Sequence, residues 1–190
     1  MKLVLATRNE HKAREFAALL VPHAVEALPA EVMLPPETGT TFAENALVKA
    51  RVAAQALGVI SIADDSGIES VALHGAPGVY SARFAGVEAT DAENLEKLLR
   101  EAPAGSALTY VCAIAVVDPV SGDEELFEGR CTGTLDPDPR GAGGFGYDPA
   151  FKPDDIPGDR TMAELAPHEK DAISHRGKAA RALLQWLNRR

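Results

Sequence analysis

Apolar residues open the chain in an unbroken run, Leu3-Val4-Leu5-Ala6, so residues 2–6 read as a buried strand. Thr7 and Glu10 follow at the T-x-x-E spacing of a capping box, and Ala13, Phe16, Ala17 and Leu20 recur at helical spacing. Residues 24–28 read as a second strand, and 29–40, rich in Pro, Glu, Gly and Thr, as a loop. A second capping box, Thr41 to Glu44, precedes a helix with the stripe Ala46, Ala50, Ala53 and Leu57 and a stop at Gly58. Residues 59–63 form a short β-rich run that ends at Asp64-Asp65-Ser66-Gly67. Residues 67–90 read as loop, 91–101 as helix, and 108–118 and 124–135 as two strands of an antiparallel hairpin turning at Pro119-Val120-Ser121-Gly122-Asp123. After a Pro/Gly-rich loop over 136–149, a last helix over 174–188 carries Ala180, Leu183, Leu184 and Leu187 on one face. Strand–helix units beside a hairpin predict an α/β fold with a mixed central sheet flanked by helices rather than a purely parallel sheet.

Composition narrows the picture. The 190 residues suit one domain, 1–190, with two lobes at most and no separable boundary. A net charge of −9 argues against a nucleic-acid surface, so an anionic small substrate would need local cations or a metal. Cys112 and Cys131 both lie in strands and read as buried, reduced thiols, although they could also meet in space. No run of ~18 apolar residues spans a membrane, and the apolar start is too brief for a signal peptide, which predicts a cytoplasmic protein. The Walker, H-E-x-x-H and G-x-S-x-G signatures are absent, as is any zinc-spaced Cys/His cluster.

Five segments could carry chemistry. In Thr7-Arg8-Asn9-Glu10-His11-Lys12 a strand runs into a helix start with free N–H groups and a lysine, which suits phosphate or a plainly capped helix. Asp64 and Asp65 at the end of an apolar strand are costly if buried unpaired and tolerable beside a hard cation; the alternative is an exposed turn. Glu37 in the loop could complete a metal site, and Asn45 and Lys49, four apart, share a helix face away from the alanine stripe, where Lys49 could meet phosphate or solvent. Gly141-Ala142-Gly143-Gly144-Phe145-Gly146 imitates a dinucleotide fingerprint, but Pro149 follows and no helix pattern begins. That loop could instead hold a base, with Phe145 or Tyr147 stacking and Asp148 accepting N–H, or could be a turn with an aromatic plug. Finally, His175 and Arg176 open the last helix, where cations oppose the helix dipole, a local cost that hints at function.

Taken in order, these segments resemble the inosine triphosphate pyrophosphatase family. The matching pieces are Thr7-x-Asn9-x-x-Lys12, Glu37-Thr38-Gly39 with Phe42-x-Glu44-Asn45-Ala46-x-x-Lys49-Ala50, Asp64-Asp65-Ser66-Gly67, Gly75-Ala76-Pro77-Gly78-Val79-Tyr80-Ser81-Ala82-Arg83, Gly143-Gly144-Phe145-Gly146-Tyr147-Asp148-Pro149 and Ser174-His175-Arg176-Gly177. Arg8 departs from the pattern, where many relatives carry a small residue. The resemblance implies an elongated two-lobed fold with the active-site cleft between the lobes, a homodimer, and Mg²⁺-dependent hydrolysis of dITP, ITP and XTP to monophosphate and pyrophosphate. It implies that Thr7, Arg8, Asn9, Glu10, His11 and Lys12 bind the triphosphate, with Lys49 in support and Ser66 on a phosphate oxygen. Asp65 would be metal ligand and proton acceptor, Glu37 the second ligand. Phe145, Gly146, Tyr147, Asp148, Lys170, His175 and Arg176 would hold base and phosphates. The rivals are a Maf-type pyrophosphatase for dTTP or UTP and a nucleotide-binding module without catalysis.

Overall fold

The structure is a computed structural model that describes residues 2–189. The opening apolar run forms β1 (Lys2–Leu5), which pairs in parallel with β2 (Ala24–Ala27) on one side and with β3 (Ser61–Ser70) on the other. Between β1 and β2 lies α1 (Glu10–Leu19). Its N-cap is Asn9 rather than Thr7: the Asn9 side chain accepts from the N–H groups of His11 and Lys12, while the Thr7 hydroxyl accepts from Asn9 N–H at 3.2 Å. Asn is among the strongest N-caps, so it takes the position from a threonine two residues earlier. The second expected capping box is present at α2 (Phe42–Leu57), closed by Gly58 in the left-handed region, φ 66°.

β3 departs from the sequence reading. It does not end at the two aspartates but runs through them to Ser70. Ser66-Gly67 looks like a turn, yet Ile68 is fully buried and its N–H donates to the Ser81 hydroxyl at 2.9 Å, which holds the chain extended. Two short 3-10 helices, Val71–Leu73 and Gly78–Arg83, occupy the segment read as loop. Then follow α3 (Asp91–Glu101), β4 (Ala107–Val117) and β5 (Glu124–Leu135), the latter two joined by the expected tight turn. Further elements beyond the sequence reading include β6 (Phe151–Pro153), antiparallel to β5 with Leu135 opposite Phe151, and α4 (Pro167–Ile173) before α5 (His175–Leu187). The six-stranded mixed sheet has the order β2-β1-β3-β4-β5-β6.

The chain forms two compact units. The first comprises Met1–Asp65, Cys112–Gly129 and Arg176–Arg190, the second Ser66–Val111 and Arg130–His175, so β3, β4 and β5 each contribute to both. The first unit has three layers. Leu3, Leu5, Ile62, Cys112, Ile114 and Val116 face α1 and α5, and Val4, Ala6, Ala63, Ala115 and Val117 face the alanine stripe of α2. This is the period-2 alternation of strands buried on both faces. In the second unit, Ile68, Leu98, Leu108, Cys131, Leu135 and Phe151 form the core under α3 and α4. Both cysteines are buried.

Candidate active site

Strand geometry separates the two adjacent aspartates, because neighbouring side chains on a strand leave by opposite faces. Asp65 follows the side of Ala63, toward α2; Asp64 follows the side of Ile62, toward α1 and α5. Each is buried, and each meets its own set of partners.

On the α2 side, Asn45 Nδ2 donates to Asp65 Oδ2 at 2.9 Å, and Lys49 Nζ lies 4.0 Å from Asp65 Oδ1. The same ammonium donates to Glu37 Oε1 at 2.5 Å, so the two carboxylates lie no farther apart than these two distances together. Asn45 Oδ1 also accepts Gly39 N–H at 2.8 Å, and a Cβ on Gly39 would come within 2.7 Å of that oxygen. One amide therefore fastens the loop that carries Glu37 to the strand that carries Asp65. Asn45 and Lys49 do share a helix face, as their spacing predicts, but it is not a solvent face: both are buried, because two acids wait for them there. Burial raises the Asp65 pKa above the usual carboxylate value; Lys49 works against this and the Glu37 charge adds to it. Lys49 loses solvation by burial, but Asp64, Glu37 and Asp65 outweigh that and raise its pKa.

On the other side, Asp64 Oδ2 receives Lys12 Nζ at 3.0 Å and Arg176 at 3.2 Å. Burial disfavours its charge, yet Lys12, Arg176 and Lys49 together hold its carboxyl well below the carboxylate range. Arg176, 1% exposed, also pairs with Glu15 of α1. A cation in the first turn of α5 opposes the dipole, and two carboxylates compensate it. Burial, with Asp64 adding to it, pushes the Cys112 thiol up to about 12.

The remaining residues of the first segment divide. Lys12 points to Asp64, whereas Glu10 and His11 stay exposed, His11 Nδ1 lying 3.0 Å from Arg14. The Arg8 guanidinium donates to the carbonyls of Leu28, Pro29 and Val32 at 2.8 Å and of Ala30 at 3.2 Å. Arg8 thus ties down the loop after β2, because its forked donors fit a ring of carbonyls from that loop.

The second unit gathers the later motifs. Asp148, 3% exposed, is a hub: Oδ1 accepts the Tyr110 hydroxyl at 3.0 Å, and Oδ2 accepts Phe145 N–H at 3.0 Å and Lys170 Nζ at 2.8 Å. Lys170 Nζ also stands 5.1 Å from the centroid of the Phe145 ring. His175 stacks on Tyr110, with centroids 4.6 Å apart and planes 6° from parallel. Gly144 has φ 71°, and any Cβ there would land on the Asp148 carboxylate. Gly146 N–H donates to Asp91 at 2.9 Å, which fixes the loop to the start of α3. Of the two loop aromatics, Tyr147 is the plug: it is buried and its hydroxyl donates to the Ser81 carbonyl at 2.7 Å, whereas Phe145 is half-buried. Ser66 follows Asp65 directly and is half-buried.

Glu37 and Asp65 suit a hard divalent cation. They are oxygen donors, close together, and both already turned toward a positive charge. Among the described residues no three His, Cys, Asp or Glu side chains group to cage an ion by themselves. Mg²⁺ does not require such a cage, since it is commonly held by one or two carboxylates, water and phosphate oxygens. Asp64 gives its Oδ2 to Lys12 and Arg176 on the opposite face of the strand, and its buried Oδ1 has no hydrogen-bond partner among the described residues. Motif reading had no signal for Tyr110, Asp91 or Glu15, which lie in an alternating strand run and on helices far away in sequence.

The chain matches the sequence model of the Ham1 family over residues 3–186. It is 46% identical over 193 residues to the dITP/XTP pyrophosphatase of Streptomyces coelicolor, covering 96% of this chain and 95% of that protein. Against the dITP/XTP pyrophosphatase of Thermosynechococcus vestitus it is 46% identical, covering 97% and 94%. The solved HAM1 protein of Coxiella burnetii superposes with a TM-score of 0.87 at 40% identity over the full length of both chains. The nucleoside-triphosphatase / dITP/XTP pyrophosphatase of Mycobacterium abscessus superposes with a TM-score of 0.75 at 43% identity, covering 97% and 99%.

Proposed function

The chain belongs to the Ham1 family, and from that premise we propose that it hydrolyses dITP, XTP and ITP to the monophosphate and pyrophosphate with Mg²⁺, cleansing the nucleotide pool. The observation that carries this reading is the cluster of Glu37, Asp65 and Lys49, two carboxylates and a cation brought together from a loop, a strand and a helix. A bound Mg²⁺ would supply charge compensation for the triphosphate oxygens and the leaving pyrophosphate.

The residues of the chain divide the work. Glu37 and Asp65 hold the cation, and Asn45 keeps the two carboxylates in register. Asp65 takes the proton from the water that attacks the α-phosphorus. Lys12, held in place beforehand by Asp64, neutralises charge that develops on the phosphate chain, with Lys49 in support. The Ser66 hydroxyl takes a phosphate oxygen. In the second unit, Phe145 stacks on the base and Asp148 accepts N1–H of hypoxanthine or xanthine. Adenine presents a bare N1 there, so ATP leaves the Asp148 acceptor facing a lone pair, the kind of mismatch that costs factors of ~10⁴ or more. A homodimer in the cytoplasm completes the proposal.

The test is pyrophosphate release across a panel of ITP, dITP, XTP, ATP, GTP, dTTP and UTP, with Mg²⁺ and with EDTA. Release from ITP, dITP and XTP only with the metal is expected. Equal kcat/KM for ITP and ATP would defeat the base assignment, and preference for dTTP or UTP would move the chain to the Maf-type activity.

A further inference from the structure

We propose that Tyr110 determines base specificity by positioning Asp148, a role that rests on the assignment of Asp148 to the purine N1–H. A carboxylate offers about four lone-pair sites. Two donors, Phe145 N–H and Lys170 Nζ, use Oδ2, and the Tyr110 hydroxyl uses one site of Oδ1. What remains is a single acceptor direction on Oδ1, the oxygen that Tyr110 also holds. Without the hydroxyl, that oxygen has two open sites and the carboxylate has one fewer anchor against rotation.

The placement of the ring supports this. Tyr110 is held by His175 on one contact, with near-parallel planes, and by Phe151 on another at 4.7 Å, so the hydroxyl is delivered by a side chain that cannot swing. Burial and the Asp148 charge push its phenol far above its ordinary range, so it stays a donor at every working pH. The same ring supports the stack of His175, and one side chain thereby orders two base-side residues. The competing explanation is that a buried hydroxyl has merely found an acceptor, as buried tyrosines generally do. The two explanations differ in what they do to substrates.

Tyr110→Phe keeps the ring and its stacks and deletes only the hydroxyl. Asp148 retains two donors, so this variant folds; Tyr110→Leu, which removes the stack as well, serves as comparison. Steady-state kinetics with ITP and with ATP are expected to show kcat/KM for ITP falling roughly tenfold, the loss of a hydrogen bond to a charged acceptor. The fall lies in KM with kcat kept, and ATP turnover is unchanged, so the ITP/ATP ratio drops by the same factor. Tyr110→Leu lowers the ratio further. Two results overturn the inference: an unchanged ITP/ATP ratio in Tyr110→Phe, including an equal fall for both nucleotides, or a fall in kcat alone. If the wild-type protein itself fails to prefer ITP to ATP, the Asp148 assignment falls and takes this inference with it, which separates the two failures.

Discussion

Lys49 offers the sharpest test of how the acid cluster is held. Replacing it with Met keeps the aliphatic stem and removes the ammonium between Glu37 and Asp65. Breaking a buried pair by deleting one partner costs ~3–5 kcal/mol, because the other charge is left uncompensated. The Asp65 side chain is 7% exposed but that of Glu37 is 29% exposed, and water screens part of its charge, which brings the expectation down to about 2–3 kcal/mol. The pKa of Lys49 is raised, so its contribution is fully present below the ordinary lysine range and is lost only as pH rises through the folded value; at pH 8 the substitution removes all of it. For a chain of this length that is a drop in Tm of roughly 4–12 °C. Calorimetry in EDTA measures it. Mg²⁺ at a hundredfold excess over its Kd stabilises by about 2.7 kcal/mol, and Lys49→Met loses a competitor for the same carboxylates. The Tm gain on adding a fixed Mg²⁺ concentration is therefore larger in the variant than in the wild type. An unchanged metal-free Tm, or an equal Mg²⁺ response in the two proteins, refutes the reasoning.

Other expectations follow from the same contacts. Asp65→Asn should lose at least ~10² in kcat for ITP, the lower end of what a positioned base supplies, and near-normal turnover would remove Asp65 from the proton transfer. Gly144→Ala must place a methyl group on the Asp148 carboxylate at a positive φ; the ITP/ATP ratio should collapse, and a crystal structure with the loop unmoved would contradict the account. Arg8→Ala frees the carbonyls of Leu28, Pro29, Ala30 and Val32, and urea denaturation should record a loss of ~1–3 kcal/mol, as expected for charged hydrogen bonds; an unchanged midpoint would mean the clamp is dispensable. With the Cys112 thiol pushed to about 12 and both cysteines buried, a disulfide reagent at pH 8 should react only after denaturant is added, and rapid native labelling would contradict the burial.

What the sequence determined by itself was whatever is local or periodic. Strand β1, the capped helix α2, α3 and the hairpin of β4 and β5 follow from apolar alternation, capping boxes and turn residues within a few positions of each other. The motif order was equally legible, although Glu37, Asp65 and Lys49 each stayed ambiguous alone and gained their roles only from the family resemblance of the ordered segments. Tertiary structure decided the rest. β3 continues past Asp65 because Ile68 and Ser81 lie far apart in sequence but meet in space, and β6 exists only because Gly133–Leu135 offers it an edge. The same reason governs the charges. Sequence puts Asp64 and Asp65 side by side; a pleated strand turns them to opposite faces, so one is committed to Lys12 and Arg176 and the other to Asn45 and Lys49. The clamp that Arg8 forms carried no signal in the sequence, because the carbonyls it satisfies come from a loop some twenty residues on. Tyr110 carried no signal, because its function comes from which rings and which carboxylate the fold packs around it.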